Sequence, residues 1–522
     1  MSQIDIDYCQ VWGYVLASYK LDKNAMAQQH LDVLIIGAGI SGIGIGVHLT
    51  QKAPNKTFAI LERRQTIGGT WDLFRYPGIR SDSDMSTFGY EFKPWTGSKV
   101  LADGTSIRNY VNQTANEYKM LEKVHFNRHV KAANWSSEKQ LWQLEVFNSA
   151  DNKTEQWTAD FLLGCTGYYD YDKGFKPDFP QEDQFKGQII HPQHWPENLD
   201  YSGKKVVIIG SGATAITLVP AMADTAAHVT MLQRSPTYIA AVPSIDKLYV
   251  KMKRVMPEKV AYSLTRVRNI GMQRLVYKLA SEKPELMKKF LLKNVRMRIG
   301  KDVDMKHFTP TYNPWEQRLC AVPDGDLFKI VKQGKASIET DEIDHFTKNG
   351  ILLKSGKELE ADIIVSATGL NIQILGGLKA TIDGVPISTN DHMLYKGVLL
   401  SDVPNAAIIV GYTNASWTLK VDVAGDYLAR LFNYMDKHHY KVVTPKSDSA
   451  QSTDDTIMGS LAAGYIKRAS NILPRQGTAA PWRVSMNYLK DKAELRSNKF
   501  NDKILSYDTA KSKSKKRFKL FG

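Results

Sequence analysis

Two apolar runs, each leading directly into a glycine-rich turn, constrain the fold of this chain more than any other feature. DVLIIG ends at Gly37, and Gly39 and Gly42 follow. KVVIIG ends at Gly210, and Gly212 follows. Continuous apolar runs are typical of strands buried in a parallel sheet, and a tight glycine turn between strand and helix is typical of dinucleotide binding. The sequence therefore predicts an α/β protein with two Rossmann-like dinucleotide-binding domains.

Further apolar runs recur along the chain and indicate the remaining buried strands of the two sheets. They are TFAILE, FLLGCTG, HVTMLQ, DIIVSATG and AAIIVG. Between Asp246 and Met305 the pattern changes to long, basic, helical stretches. No low-complexity linker separates the parts, so we expect interleaved domains. The expected segments are a loosely ordered N-terminal extension (1–29, with Met26 as an alternative start), a first dinucleotide-binding domain (30–170 and 380–500), a second one (171–240 and 325–379), a basic helical insertion (241–324) and a basic tail (501–522).

The net charge of +15 is unevenly distributed. Residues 245–306 contain 17 Lys/Arg against 6 Asp/Glu, and residues 503–519 contain 7 against 1. A terminal charge run is usually a solvated, disordered segment. The alternative is weak contact of the tail and the insertion with an anionic membrane surface. No motif supports nucleic-acid binding.

The number of cysteines and the sequence of the N-terminus indicate the cellular compartment of the protein. Cys9, Cys165 and Cys320 form no CxxC pair and are too few for a disulfide framework. The opening MSQIDIDYCQ is acidic, unlike a signal peptide. The longest apolar stretch, Val33 to Leu49, is interrupted by glycines and is a poor membrane span. We expect a protein of the cytoplasm, either free there or peripheral at the inner membrane surface, with no metal site.

The first glycine turn is followed by features of an FAD site. Glu62 ends the next strand, where an acid binds ribose hydroxyls. In the following GGTWDLFRYPGIRSDSD, Gly68 and Gly69 allow close backbone approach and Trp71 can cover a flat ring. The alternative for Trp71 alone is a core position. The residues expected to bind FAD are Gly37, Gly39, Ser41, Gly42, Glu62, Gly69, Thr70, Trp71, Asp82 and Val130.

The second turn has the features of an NADPH site. Ala215 replaces the third glycine, and Arg234 lies where an NAD site carries an acid. A guanidinium binds a 2′-phosphate through charge-assisted hydrogen bonds, which contribute about 1.5–3 kcal/mol. We therefore expect NADPH rather than NADH, the alternative being that Arg234 is a surface charge. The residues expected here are Gly210, Ser211, Gly212, Thr214, Ala215, Gln233, Arg234 and Ser235.

Two spaced motifs carry a family resemblance. FKGQIIHPQHWP matches FxGxxxHxxxW(P/D), and Gly68 to Asp82 matches (A/G)GxWxxxx(F/Y)P(G/M)xxxD. Over residues 30–500 the chain resembles type I Baeyer–Villiger monooxygenases. Within them, NPWEQRLCAVPDGDLFK and GYTNASWTLKVD resemble the ethionamide-activating branch. The first motif comprises Phe185, Gly187, His191, Trp195 and Pro196.

The resemblance implies a reaction and residue roles. NADPH reduces FAD, O₂ gives a C4a-peroxyflavin, and one oxygen enters beside a ketone carbonyl to give an ester or lactone. Arg318 matches the active-site arginine, which would stabilise the oxyanion, and Asp82 matches the acid that orients it. His191 and Trp195 match an interdomain linker that couples cofactor movements. Gln317 stands where many relatives have Lys, which puts one NADP⁺ phosphate contact in question.

Three other functions are considered. The nearest is oxygenation of sulfides, thioamides or amines, which could be a second activity of the same site. A flavin disulfide reductase shares the two-site plan but needs a redox cysteine pair, which this sequence lacks. A non-catalytic NADP-binding or membrane-surface protein is the third. A product assay with one ketone and one sulfide discriminates the first alternative.

Overall fold

The computed structural model describes residues 29–317, 319–459 and 464–511. The expected extension, apart from its last residue, and residues 512–522 of the basic tail lie outside the described residues. The described strands are β1 (Gln29–Ile36), β2 (Phe58–Leu61), β3 (Val124–His125), β4 (Arg128–Ser136), β5 (Leu141–Asn148), β6 (Lys153–Gly164), β7 (Tyr169–Gly174), β8 (Gln188–Ile190), β9 (Lys205–Ile209), β10 (His228–Gln233), β11 (Tyr238–Val242), β12 (Leu319–Pro323), β13 (Ala336–Thr340), β14 (Ile343–Thr347), β15 (Gly350–Leu353), β16 (Glu358–Glu360), β17 (Ile363–Ser366), β18 (Leu370–Ile372), β19 (Lys379–Ile382), β20 (Val385–Pro386), β21 (Leu394–Tyr395), β22 (Leu399–Leu400), β23 (Ala406–Ile408), β24 (Tyr440–Pro445), β25 (Ser452–Thr456), β26 (Arg475–Gly477) and β27 (Leu505–Thr509). The described α-helices are α1 (Ile40–Lys52), α2 (Thr70–Leu73), α3 (Met85–Phe88), α4 (Gly104–Glu117), α5 (Ala213–Met222), α6 (Lys247–Val255), α7 (Glu258–Glu282), α8 (Pro284–Ile299), α9 (Asp326–Lys332), α10 (Trp417–Lys437), α11 (Gly464–Arg468) and α12 (Tyr488–Arg496).

The larger sheet contains the first glycine turn. Its main path runs β20-β19-β4-β5-β6-β1-β2-β3, and β23 joins beside β6. The central pairs β1–β2, β1–β6 and β6–β23 are all parallel, with Ile36 opposite both Leu61 and Gly164. Because parallel strands share a carboxyl edge, Gly37, Glu62 and Cys165 follow their strands at the same edge of the sheet.

The smaller sheet contains the second glycine turn. Its five strands run β13-β10-β9-β17-β8 and every pair is parallel. Ile209 lies opposite Leu232 and Ser366. Gln233 at the end of β10 therefore lies at the same edge as Gly210 and Ala367, which follow β9 and β17. All seven predicted apolar runs contain strands, and the expected α/β fold with two Rossmann-like dinucleotide-binding domains is confirmed.

The chain crosses between the two sheets twice. It leaves the larger sheet after β6 through β7, and returns after β17 through β18. β7 and β18 pair with each other in antiparallel orientation, with Leu370 opposite Gly174. The two crossings therefore form one two-stranded connection. The domain boundaries given above stay predictions.

The expected basic insertion contains the three helices α6, α7 and α8. Arg266 of α7 is buried, and its Nη1 donates a hydrogen bond to the carbonyl oxygen of Gly89 at 2.6 Å. Its Nη2 lies 3.4 Å from Oδ2 of Asp422 in α10. These contacts anchor α7 on the larger sheet's side of the molecule. Among the described helices, none is both long and apolar enough to cross a bilayer.

Candidate active site between the two glycine turns

The first glycine turn and the loop facing it form a cradle of bare backbone, in which a side chain on one of the glycines would be crowded. Gly37 has φ +100°, and a Cβ on Gly42 would lie 1.9 Å from the carbonyl oxygen of Gly37. A second loop faces the turn, since a Cβ on Gly69 would lie 3.0 Å from the Cα of Gly39. Gly69 itself has φ +57°, a left-handed conformation that favours glycine. The turn therefore admits a ligand close to the backbone, at the N-terminus of α1.

Glu62 holds the turn in place. One carboxylate oxygen accepts a hydrogen bond from the Ala38 backbone N–H at 2.8 Å, and the other accepts from that of Arg64 at 2.9 Å. Burial raises the pKa of this carboxyl, and the two backbone hydrogen bonds oppose the shift. Each carboxylate oxygen can accept a second hydrogen bond, so Glu62 can support the turn and still bind ribose hydroxyls.

The second glycine turn has open space beside one of its glycines, unlike the first turn. Gly210 has φ +142°, and a Cβ there would lie 2.4 Å from the Ala367 carbonyl oxygen. A Cβ on Gly212 would meet no described atom within 4 Å. Arg234 lies exposed just after β10. The turn thus faces open space on the side where a pyrophosphate would lie, with a cation beyond the next strand.

Gln233 lies outside the cavity, although the sequence places it in the NADPH site. Its amide nitrogen donates to the His307 carbonyl oxygen at 2.8 Å and to the Thr340 hydroxyl at 2.9 Å. The side chain is buried. Side chains of a strand alternate between its faces, so the last residue of β10 and Arg234 after it point in different directions.

Both glycine turns open into one cavity of about 1290 Å³. Gly42 and Ala215 lie behind the turns, outside the lining. Arg318 lies outside the described residues, whereas Gln317 and Leu319 on either side of it line the cavity. The expected site residues in the lining are Gly37, Gly39, Ser41, Glu62, Gly69, Thr70, Trp71, Asp82, Val130, Gly210, Ser211, Gly212, Thr214, Arg234, Ser235 and Gln317.

An aromatic wall of the cavity was missed by sequence reasoning. Trp417 begins α10 and its indole N–H donates to the Ser41 hydroxyl at 2.7 Å. The Tyr168 ring stacks on Trp417 with centroids 5.4 Å apart. Tyr171 also lines the cavity, and burial raises the pKa of its hydroxyl to about 12. The stretch GYTNASWTLKVD carried a resemblance, but only packing from distant sequence shows that its tryptophan covers the first turn.

Helix α7 also contributes to the cavity. Asp84 accepts hydrogen bonds from the side-chain amides of Asn269 at 2.7 Å and Gln273 at 2.6 Å. Asp84 also caps α3 through the Thr87 backbone N–H. Gln273 lines the cavity, as does Asp82, two residues before Asp84. The insertion thus forms part of the wall nearest the expected active-site acid.

The FxGxxxHxxxW(P/D) motif lies away from the cavity lining, at the crossover between the sheets. His191 accepts the Gln193 backbone N–H on Nδ1, and its Nε2 donates to the Gly369 carbonyl oxygen at 3.2 Å. Gly369 immediately precedes β18, and a Cβ on Gly174 of β7 would overlap the His191 ring. The motif therefore connects the end of β8 to both crossing strands.

The other motif residues pack the second sheet. Phe185 is buried and meets the Phe346 ring edge-on at 6.4 Å, and a Cβ on Gly187 would lie 2.2 Å from the Asp362 carbonyl oxygen. Trp195 is half-buried against the hydrophobic core of the smaller sheet, and Pro196 accepts the Leu199 N–H on its carbonyl oxygen at 3.3 Å. These four residues therefore pack the smaller sheet and its loops, away from the cavity.

A mixed sheet with parallel central strands and an all-parallel sheet, whose glycine turns face one cavity, define a protein built to bind two dinucleotides. Residues 30–437 match the flavin-binding monooxygenase-like family model. The chain is 62% identical to the Probable FAD-binding monooxygenase AlmA of Acinetobacter baylyi, over 92% of this chain and 97% of that protein. It is 48% identical to the FAD-containing monooxygenase EthA of Mycobacterium tuberculosis, over 92% and 98%. The chain belongs to the flavin-binding monooxygenase-like family, which confirms the prediction of a flavin-dependent monooxygenase.

Solved structures with the same fold include a steroid monooxygenase and a cyclohexanone monooxygenase. An oxidised steroid monooxygenase bound to NADP superposes with a TM-score of 0.74 at 19% identity, covering 92% of this chain and all of that one. The open form of cyclohexanone monooxygenase superposes with a TM-score of 0.71 at 18% identity and the same coverage. At this identity the likeness concerns the fold.

Proposed function

We propose that the protein is an FAD- and NADPH-dependent Baeyer–Villiger monooxygenase. It inserts one oxygen atom of O₂ next to a ketone carbonyl and yields an ester or lactone. The observation that carries the proposal is the opening of both glycine turns into one cavity. Two cofactors bound there would meet at the same reaction space. The two sequence motifs of Baeyer–Villiger enzymes support this reaction within the family.

The residues of the first turn fit FAD. The cradle of Gly37, Gly39 and Gly69 leaves room for a pyrophosphate, and Glu62 stands at the ribose position. Trp71 lies in the wall of the cavity and would cover the flat ring of the flavin. When bound, FAD supplies the redox and oxygen-activating chemistry that amino-acid side chains lack.

The residues of the second turn fit NADPH. The open space before Gly212 accommodates a pyrophosphate at the N-terminus of α5. Arg234 lines the cavity and can bind a 2′-phosphate. The Gln233 side chain is hydrogen-bonded to His307 and Thr340. We expect it to support the strand that carries Arg234 rather than to contact NADPH.

Asp82 and Arg318 are the proposed catalytic residues. Arg318 stabilises the negative charge that develops on the substrate oxygen. Asp82 lines the cavity and orients the guanidinium. The aromatic wall of Tyr168, Tyr171 and Trp417 limits access of water to the reacting atoms, which strengthens this electrostatic stabilisation. His191 and Trp195 position the crossover between the two sheets.

A product assay tests the proposal. The purified protein is supplied with NADPH, ¹⁸O₂ and a panel of linear, cyclic and aryl ketones plus one aryl sulfide. We expect esters or lactones that carry one ¹⁸O atom. Sulfoxide formation in addition would make heteroatom oxygenation a second activity. Sulfoxide without any ester across the panel would overturn the Baeyer–Villiger assignment in favour of an S/N-oxygenating enzyme.

We also propose that the protein works in the cytoplasm. Cys165 and Cys320 are buried, and neither forms a disulfide with a described residue. Burial raises the pKa of Cys165, which keeps that thiol protonated and unreactive. Such thiols suit a reducing compartment. Fractionation of native cells tests this location, and recovery from the extracellular or periplasmic fraction would contradict it.

A further inference from the structure

We propose that helices α6, α7 and α8 form a docking surface for an anionic lipid bilayer. The docking surface is defined by the exposed apolar side chains Leu248, Val255, Val260, Leu264, Val267, Met272, Leu275, Leu286, Phe290 and Met297. It lies outside the cofactor sites and does not depend on which oxygenation the enzyme performs.

An apolar stripe runs along α7 on the side away from the protein. Val260, Leu264, Val267 and Leu275 recur at intervals that place them on one helical face. Val267 is 69% exposed. A helix in a soluble protein normally turns such a stripe to the core. Here the core-facing side of α7 is a different one, which contains Arg266.

Helix α8 repeats the pattern with cations interleaved. Leu286, Phe290 and Met297 share one face, and Phe290 is 59% exposed. Lys289 and Lys293 are exposed on the same side of the helix. Apolar side chains beside lysines are typical of helices that lie in the membrane interface, because the former enter the acyl boundary while the latter reach lipid phosphates.

The positive charge of the three helices indicates which kind of partner fits the docking surface. Residues 245–306 have 17 Lys/Arg against 6 Asp/Glu. Lys251, Arg254, Lys259, Arg274 and Lys293 are not ion-paired with any described carboxylate, whereas Lys253, Arg268 and Lys278 are. A second copy of this surface would bring like charges together. An anionic lipid surface complements the cations and also takes up the apolar side chains.

The docking surface is rigidly connected to the cavity. Gln273 lies on the side of α7 opposite the apolar stripe, lines the cavity and donates to Asp84. A helix with its side chains is about 10 Å across. Docking would therefore hold the cavity wall within roughly one helix diameter of the bilayer, where molecules dissolved in the lipid are concentrated.

Vesicle binding by the full-length holoenzyme tests the proposal. Co-sedimentation is measured with vesicles of phosphatidylglycerol and phosphatidylcholine, and with vesicles of phosphatidylcholine alone. We expect binding that requires phosphatidylglycerol. The double variant Val267→Glu/Phe290→Glu is expected to bind about tenfold more weakly, because it removes apolar contact and adds negative charge. Val385→Glu, at a 67% exposed valine of β20, is the matched control and is expected to bind like the wild type.

The possible outcomes separate the alternatives. If the double variant bound vesicles as tightly as the wild type, the binding would come from other basic segments, and the proposal would be overturned. Absence of binding by the wild type would overturn it as well. A dimer in sedimentation velocity that Val267→Glu dissociates, without vesicle binding, would identify the surface as a contact between copies. Retained FAD and an unchanged rate of NADPH oxidation without vesicles show that the double variant is folded.

Discussion

The ammonium group of Lys420 in α10 lies 2.9 Å from Oδ2 of Asp491 in α12, and both side chains are almost fully buried. The Tyr412 hydroxyl donates to the same oxygen at 2.9 Å, and the Ser485 hydroxyl donates to Oδ1 at 2.6 Å. These hydrogen bonds offset the cost of removing two charges from water. Tyr412 lines the cavity, so this ion pair supports one wall of the site.

Removal of the cation from this pair should strongly destabilise the protein. Lys420→Met leaves Asp491 charged and buried, and we expect a loss of about 3–5 kcal/mol in the free energy of unfolding. The matched control is Lys490→Met, since Lys490 and Glu494 form an exposed pair at 3.9 Å. That variant should change stability by about 0.5 kcal/mol or less. Urea unfolding measures both, and equal effects would contradict the energetic role of burial.

Gly42 should tolerate no side chain. A Cβ there would overlap the Gly37 carbonyl oxygen, so Gly42→Ala must distort the first turn. We expect at least about a tenfold loss of bound FAD, because that turn approaches the pyrophosphate. Gly271→Ala is the helical control, since its Cβ meets no described atom within 4 Å. It should stabilise α7 by up to about 1 kcal/mol, and retention of FAD by Gly42→Ala would count against the cradle.

Arg234 should set the preference for NADPH. Arg234→Ala removes the charge-assisted contacts to the 2′-phosphate, worth about 1.5–3 kcal/mol. We expect KM for NADPH to rise by roughly 10- to 150-fold and KM for NADH to stay the same. Steady-state kinetics with both cofactors measure this. Equal changes for the two would indicate a general disturbance of the second turn.

Arg318 should be needed for oxygen transfer but not for flavin reduction. We expect Arg318→Ala to keep the rate of FAD reduction by NADPH under anaerobic conditions and to lose ester formation by about 10²-fold or more. Arg318→Lys restores a cation and should recover part of the activity. Stopped-flow absorbance and product analysis separate the two steps. Ester formation at the wild-type rate in Arg318→Ala would refute the assignment.

His191 should make stability fall at mildly acidic pH. Burial lowers the pKa of its imidazole below the ordinary 6.5, although the hydrogen bond to Gly369 opposes the shift. The unfolded chain then binds more protons than the folded one below pH 6.5, so this contribution is complete above 6.5 and is lost as pH falls. We expect His191→Ala to reduce the drop in Tm between pH 7.5 and 5.5, measured by thermal unfolding at both pH values. An undiminished drop in His191→Ala would exclude this role.

The sequence by itself determined the two strand–turn–helix units, the strands around them and the family. These features are local, because an apolar run and the glycines after it specify a buried strand and a tight turn within a few residues. Most of the residues expected at the two turns accordingly line the cavity, whereas Gly42 and Ala215 lie behind the turns. The two motifs led to the proposed reaction through resemblance, whereas the spacing of the motif that contains His191 did not reveal its place at the crossover.

The tertiary structure decided which side chains meet. Gln233 turns away from the cavity because strand side chains alternate, and its partners lie far along the chain. Trp417 contacts Ser41 across 376 residues of sequence, and Gln273 contacts Asp84 across 189. Such contacts follow from how helices pack on the two sheets, which no local pattern encodes. For the same reason only the folded protein shows that α7 turns one face to the cavity and its apolar stripe to the solvent.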